Sequence, residues 1–157
     1  MNLKELVKPA SVVCDADVSS KKRVLELLAE LLSSSLDESN ALAIFQHLTE
    51  REKLGSTGLG HGVALPHART DSCSKAVGAF VKLEQGIDFD SPDNIPTDLL
   101  FALMVPEHYT DEHLKILASL AGLFSDEQFC NNLRACTTSA ELYKRLTTGW
   151  QVSSRAS

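Results

Sequence analysis

The sequence predicts an α/β fold, a single layered domain in which helices flank a sheet. Segments of helical period alternate with segments of strand period along the chain. The stretch Leu99-Leu100-Phe101-Ala102-Leu103-Met104-Val105 is apolar without interruption and is stopped by Pro106, which fits a central strand covered on both faces. A length of 157 residues suits one domain built around one core.

The elements follow in order. Ser19 or Ser20 can cap a first helix, on which Val24, Leu27, Leu28, Leu31 and Leu32 form one apolar face. The serines at 33–35 and Leu36 break that pattern. A second helix is expected to start near Asp37 or Ser39, with Ala41, Ile44, Phe45 and Leu48 as its stripe, and to end before Gly55. Val63 to Leu65 is a short strand candidate that Pro66 ends. Val77, Ala79, Val81 and Leu83 alternate along another strand, and Gly86 to Pro96 reads as a loop. Thr110 is placed to cap a helix with His113, Ile116, Leu117 and Leu120 on one stripe, widened by Leu114, Ala118 and Ala121. Asp126 opens a further helix, and Thr138 with Glu141 fits a capping box for the last, through Leu142 to Leu146. The domain is expected to occupy residues 1–150, with residues 151–157 a frayed tail.

Composition excludes several classes. Hydrophobic residues at 43% and charged residues at 23% argue against disorder. A net charge of -6, with Lys21-Lys22-Arg23 the densest basic spot, disfavours nucleic-acid binding and a polybasic membrane anchor. The first residues lack a secretory apolar core, and no run approaches the roughly 20 apolar residues that span a bilayer. A cytoplasmic location without membrane insertion is therefore expected. Cys14, Cys73, Cys130 and Cys136 form no C-x-x-C pair, so they read as ordinary thiols, with Cys130 and Cys136 on or near a helix.

Chemistry concentrates between residues 51 and 67. Gly55, Gly58, Gly60 and Gly62 let backbone amides approach something small, and an anion nest is the usual use of such a run. A P-loop is excluded because His61 and Gly62 follow Gly60, and the dinucleotide fingerprint fails at Val63 and Leu65. The alternative is a turn without a ligand, which composition by itself slightly favours. His67 follows a proline at a strand end, so its imidazole is delivered with little backbone freedom. A neutral imidazole is a natural nucleophile for reversible phosphoryl transfer, provided its other ring nitrogen is held as a donor. A surface histidine in a loop is the plain alternative. His113, in the first turn of its helix, can face a site at that helix end or close the core. Arg51, just before the glycines, can pair with phosphoryl oxygens or simply be solvated at a helix C-terminus.

Taken as an ordered set, the segment from Arg51 to His67 resembles the active-site segment of IIA components of the bacterial phosphotransferase system, fructose/mannitol type. That pattern reads R-E-x-x-G-S-T-G-I-G-x-G-I-A-I-P-H. The likeness continues through the run from Pro96 to Pro106, then His113-Leu114 and Glu141-Leu142-Tyr143, and spans about Leu3 to Leu146. Within the family it is closest to the nitrogen-related regulatory IIA, on the helix starting at Ser20-Lys21-Lys22-Arg23 and on the lack of an attached IIB or membrane domain. The resemblance implies a mixed β-sheet flanked by helices. It implies that an HPr-like protein donates a phosphoryl group to His67, that Arg51 and His113 support that group, and that no cofactor is needed. The phosphate would then regulate target proteins or, in a stand-alone sugar-specific IIA, pass to an EIIB; a non-catalytic binding module is opposed by the intact His67, Arg51 and His113. His61 departs from the usual asparagine. Its imidazole would hydrogen-bond differently, which bears on the inner geometry of the phosphate site. A zinc site shared by His61 and His67 lacks third and fourth ligands, so no metal is expected.

Overall fold

The computed structural model describes residues 2–36, 40–71 and 73–156, with side chains through residue 148. The chain order is α1 (Leu3–Leu6), β1 (Val12–Ala16), α2 (Lys21–Ser33), α3 (Ala41–Lys53), β2 (Gly58–Gly60), β3 (Val63–Ala64), β4 (His67–Thr70), β5 (Val77–Ile87), β6 (Thr97–Pro106), α4 (Asp111–Phe124), α5 (Glu127–Arg134) and α6 (Ser139–Ala156). The sheet order is β1-β5-β6-β3-β2, with β4 also on β6. The sheet is mixed: β1 runs parallel to β5, β3 and β4 parallel to β6, while β5–β6 and β2–β3 are antiparallel.

Strand β6 is central, as its apolar run predicts. Alternation splits the run between two cores. Leu99, Phe101, Leu103 and Val105 pack with Leu120, Phe124, Leu133, Leu142 and Leu146 from α4, α5 and α6. Leu100, Ala102 and Met104 pack with Val24, Leu28, Leu32, Ile44 and Leu48 from α2 and α3. The result is a three-layer helix–sheet–helix sandwich. Burying one large apolar side chain of this kind contributes about 1.5–3 kcal/mol.

Caps fall largely where side-chain chemistry puts them. Ser20 accepts from the Arg23 amide, Asp126 from Phe129 and Thr138 from Glu141. The expected helix start near Asp37 or Ser39 lies outside the described residues; the described helix begins at Ala41, with the Asn40 side chain accepting from the Ala43 amide. Thr110 precedes α4 but makes no side-chain cap, because its ψ of -74° is not the extended conformation that aims a hydroxyl at the first turn.

Several elements depart from expectation. Strand β1 was not anticipated; its Val12 and Val13 find their partners in Phe80 and Val81, far along the chain. Strand β5 runs to Ile87, so Gly86 lies in the strand and not in the loop. The short strand before Pro66 does end, β3 stopping at Ala64, but the chain then rejoins β6 in a separate strand at the His67–Leu103 register, and the Pro66 carbonyl accepts from the Leu103 amide at 2.9 Å. The glycine-rich stretch is a hairpin. Strands β2 and β3 flank a two-residue turn in which His61 and Gly62 have φ of 56° and 82°, the left-handed values of a type I′ turn. Helix α6 continues to Ala156, well beyond the Leu142–Leu146 stripe; Ser157 lies outside the described residues.

Candidate active site

Where the chain rejoins the sheet after Pro66, the first residue of β4 is His67. Its Nδ1 lies 2.7 Å from the Leu65 carbonyl oxygen. A carbonyl only accepts, so Nδ1 carries the proton and Nε2 keeps the lone pair. The strand break therefore supplies the donor-holding partner that a nucleophilic histidine requires.

Strand β4 is paired with β6 on one side, and a cleft opens beside it between the end of α3 and the start of α4. The cleft has a volume of about 830 Å³ and is lined by His47, Arg51, Leu54, His67, Arg69 and His113, among others. The three residues predicted from sequence thus meet in one place. The rings of His67 and His113 are 5.4 Å apart at a 52° tilt. Arg51 Nη1 donates to the Gly55 carbonyl at 3.0 Å. Its neighbour Glu52 is buried and points the other way, accepting from the Thr57 amide and hydroxyl and pairing with Lys21 at 2.9 Å. Glu52 thereby clamps the chain turn that follows α3, which holds Arg51 at the cleft.

Electrostatics keep both rings neutral near pH 7. Burial pushes the His67 pKa below its ordinary value, the Arg51 charge acts the same way, and the Leu65 hydrogen bond opposes them in part. His113 is pushed down to about 4, first by burial, then by the His67, Arg69 and Arg51 charges. Its Nδ1 is buried without a hydrogen-bond partner among the described residues. A neutral nucleophile, a guanidinium and a second imidazole with an uncommitted nitrogen suit an incoming anion.

Three sequence expectations change here. The glycines do not line this cleft; Gly58, Gly60 and Gly62 form the hairpin and its close packing, and Gly55 follows α3. His61 does not line the cleft that holds His67. Its amide donates to Asp93 at 2.8 Å, its carbonyl accepts from Arg134 at 2.8 Å, and it lines a separate cleft with Asp98 and Arg134. The backbone of residue 61 is left-handed, at φ 56°, a conformation that histidine and asparagine tolerate better than most residues. Leu114, assigned to the core stripe, is 64% exposed on the cleft rim. Sequence reasoning missed Arg69. Strand alternation after His67 would have found it, since i and i+2 share a face.

A histidine with a free Nε2 shares an open cleft with a guanidinium at the edge of an α/β sandwich, an arrangement that suits a phosphotransfer component. The chain belongs to the family described as "Phosphoenolpyruvate-dependent sugar phosphotransferase system, EIIA 2", whose model matches residues 5–148. Within that family it is a component of the regulatory type. It is 40% identical to the nitrogen regulatory protein of Pseudomonas aeruginosa over 144 residues, covering 92% of this chain and 94% of that protein. The crystal structure of nitrogen regulatory protein IIA-Ntr from Neisseria meningitidis superposes with a TM-score of 0.86 at 41% identity, over 92% of this chain and 99% of that one. Enzyme IIAMtl of Escherichia coli, solved in complex with phosphorylated enzyme IIBMtl, gives a TM-score of 0.72 at 20% identity over 89% and 96% of the two chains, a likeness of fold alone. Among the described residues no helix is long and apolar enough to cross a membrane.

Proposed function

We propose that the protein is a phosphohistidine carrier. It accepts a phosphoryl group on Nε2 of His67 from a phosphorylated HPr-like protein, and its phosphorylation state regulates other proteins. The observation that carries this reading is the hydrogen bond from His67 Nδ1–H to the Leu65 carbonyl, which leaves Nε2 as the nucleophile.

In the transfer, Nε2 forms a bond to phosphorus as the phosphorus–nitrogen bond of the donor phosphohistidine breaks. A donor ring protonated on its second nitrogen leaves as neutral imidazole. The His67 ring takes on the positive charge, which the Leu65 carbonyl stabilises through Nδ1–H. Arg51 binds phosphoryl oxygens as a fork, and neutral His113, which lines the same cleft, offers a ring N–H.

The cleft is open and its rim carries Leu54 and Leu114, 84% and 64% exposed. Exposed apolar side chains around a polar centre suit docking by a protein donor. Phosphorylation adds roughly -1.5 to -2 charges at the middle of that face. Such a charge changes affinity for a target without any large conformational change.

Incubation with phosphoenolpyruvate, the first phosphotransferase enzyme and an HPr-like carrier should add one acid-labile phosphoryl group. Full labelling of His67→Ala protein would sink the assignment. The regulatory part is tested by comparing the protein partners of the phosphorylated and unmodified forms. If those partner sets match while the phosphorylated protein readily phosphorylates a sugar-specific IIB, the transport role replaces the regulatory one.

A further inference from the structure

We propose that Arg69 is a second guanidinium arm of the phosphoryl site and binds the group on His67 together with Arg51. The proposal rests on His67 being the acceptor.

The pairing of charges points to it. Lys21 bridges Glu52 and Asp90, Lys82 pairs with Asp15, Arg134 with Asp98 and Arg23 with Glu26. Arg51 and Arg69, like Arg145 and several lysines, form no salt bridge among the described residues, but these two line the cleft of His67 and are held in place. Arg51 Nη1 donates to the Gly55 carbonyl at 3.0 Å, and Arg69 Nη1 donates to the Tyr109 carbonyl at 3.3 Å. A carbonyl anchors a guanidinium without cancelling its charge, and each guanidinium has five N–H donors. The cleft does contain carboxylates, Glu50, Glu107 and Asp111, but all three are exposed and none bridges either arginine.

Geometry gives the reach. In β4 the burial alternates, with His67 and Arg69 toward the open side and Ala68 and Thr70 buried. Two residues along a strand separate the two Cα atoms by roughly 6.6 Å. An arginine side chain spans that gap easily. Its anchor, Tyr109, lies just before α4, so Arg69 links the strand that carries His67 to the helix that carries His113. The Arg69 charge is also felt at the His113 ring. A transferring phosphoryl spreads its charge over three equatorial oxygens. Arg51 from α3 and Arg69 from β4 would take that charge from two separate elements, with His113 as the third contact.

The test compares the wild type with Arg69→Gln and Arg69→Lys. Labelling is mapped first on the wild type; no phosphoryl on His67 sinks both this proposal and the carrier reading. With normal wild-type labelling, Arg69→Gln should slow single-turnover transfer by roughly tenfold or more, toward the range seen when one transition-state donor is removed. It should also change the lifetime of the isolated phosphoprotein and its 31P chemical shift, with no partner present. Arg69→Lys should recover part of each effect, because it restores charge but not the fork. The proposal is overturned, with the carrier reading intact, by either of two results. One is an Arg69→Gln protein with unchanged transfer and an unchanged isolated phosphoprotein. The other is a rise only in KM for the donor, which would make Arg69 a docking residue. Circular dichroism and the Tm of each variant exclude misfolding as the cause.

Discussion

Two clefts in this molecule have similar inventories and different chemistry. One, of about 640 Å³, holds His61, Arg134 and Asp98 beside the exposed Ile95. The other, of about 830 Å³, holds His67, His113, Arg51 and Arg69 beside the exposed Leu54 and Leu114. In the first, the arginine's charge is paired: Arg134 Nε and Nη2 both reach Asp98, and Nη2 also reaches the His61 carbonyl. A Cβ on Gly62 would fall 2.6 Å from Arg134 Nη2, so the hairpin and α5 are packed against each other there. In the second, the arginines hold backbone carbonyls and keep their net charge for something else. Residue type alone does not set the chemistry of a cleft; whether its arginines are paired with carboxylates does.

The largest expected contrast is between the histidines. His67→Ala should abolish labelling, whereas His61→Ala should be labelled to the same extent as the wild type. Quantitative mass spectrometry reads both, and loss of labelling in His61→Ala would break the comparison.

Next come the arginines. Arg51→Ala should slow transfer by about 100-fold, the low end for one transition-state donor because the side chain is partly exposed, with little change in stability. Arg134→Ala should do the reverse: transfer persists, while stability falls by about 1–3 kcal/mol because Asp98 loses its partner. Rapid-quench transfer rates and urea midpoints on the same preparations separate the two behaviours.

A smaller effect is set by pH. Both His67 and His113 have lowered pKa values in the folded protein, to about 4 for His113. The unfolded chain therefore binds more protons between its ordinary histidine value and the folded one. Their contribution to stability is present above about pH 6.5 and is lost as pH falls from there toward 4. The same shift keeps His67 nucleophilic in mildly acidic buffer. The half-point of the single-turnover rate should lie below the ordinary histidine value, and a rate that halves at about pH 6.5 would contradict the burial argument.

The smallest change is expected for His61→Asn. Asparagine suits the left-handed backbone at φ 56°, so stability should rise by less than about 1 kcal/mol, with transfer unaltered. A fall in transfer rate would tie His61 to the phosphate site after all.

Much of this was legible in the sequence. The apolar run Leu99–Val105 specifies a strand covered on both faces, because a strand exposes successive side chains to opposite sides. The stripes of α2 and α3 and the caps at Ser20 and Asp126 are local effects, written within four residues of one another. Arg51, His67 and His113 could be singled out because the ordered motif carries them. Other features depend on distant partners. Val12 and Val13 become a strand because Phe80 and Val81 lie beside them. A new strand, β4, follows Pro66 because β6 offers a second stretch of edge at Leu103. Glycine clustering could not say whether amides would cradle an anion or close a hairpin; the pairing of β2 with β3 decided that. The role of each arginine was likewise a tertiary matter. Arg134 meets Asp98 across 36 residues, whereas Arg69 meets a carbonyl across 40, and sequence spacing does not reveal which long-range partner cancels a charge. The sequence by itself determined the periodicities, the caps and the ordered motif that carries Arg51 and His67, which are local properties of the chain. The tertiary structure alone decided which strands pair and which cations stay uncompensated, because both depend on contacts between residues far apart in the chain.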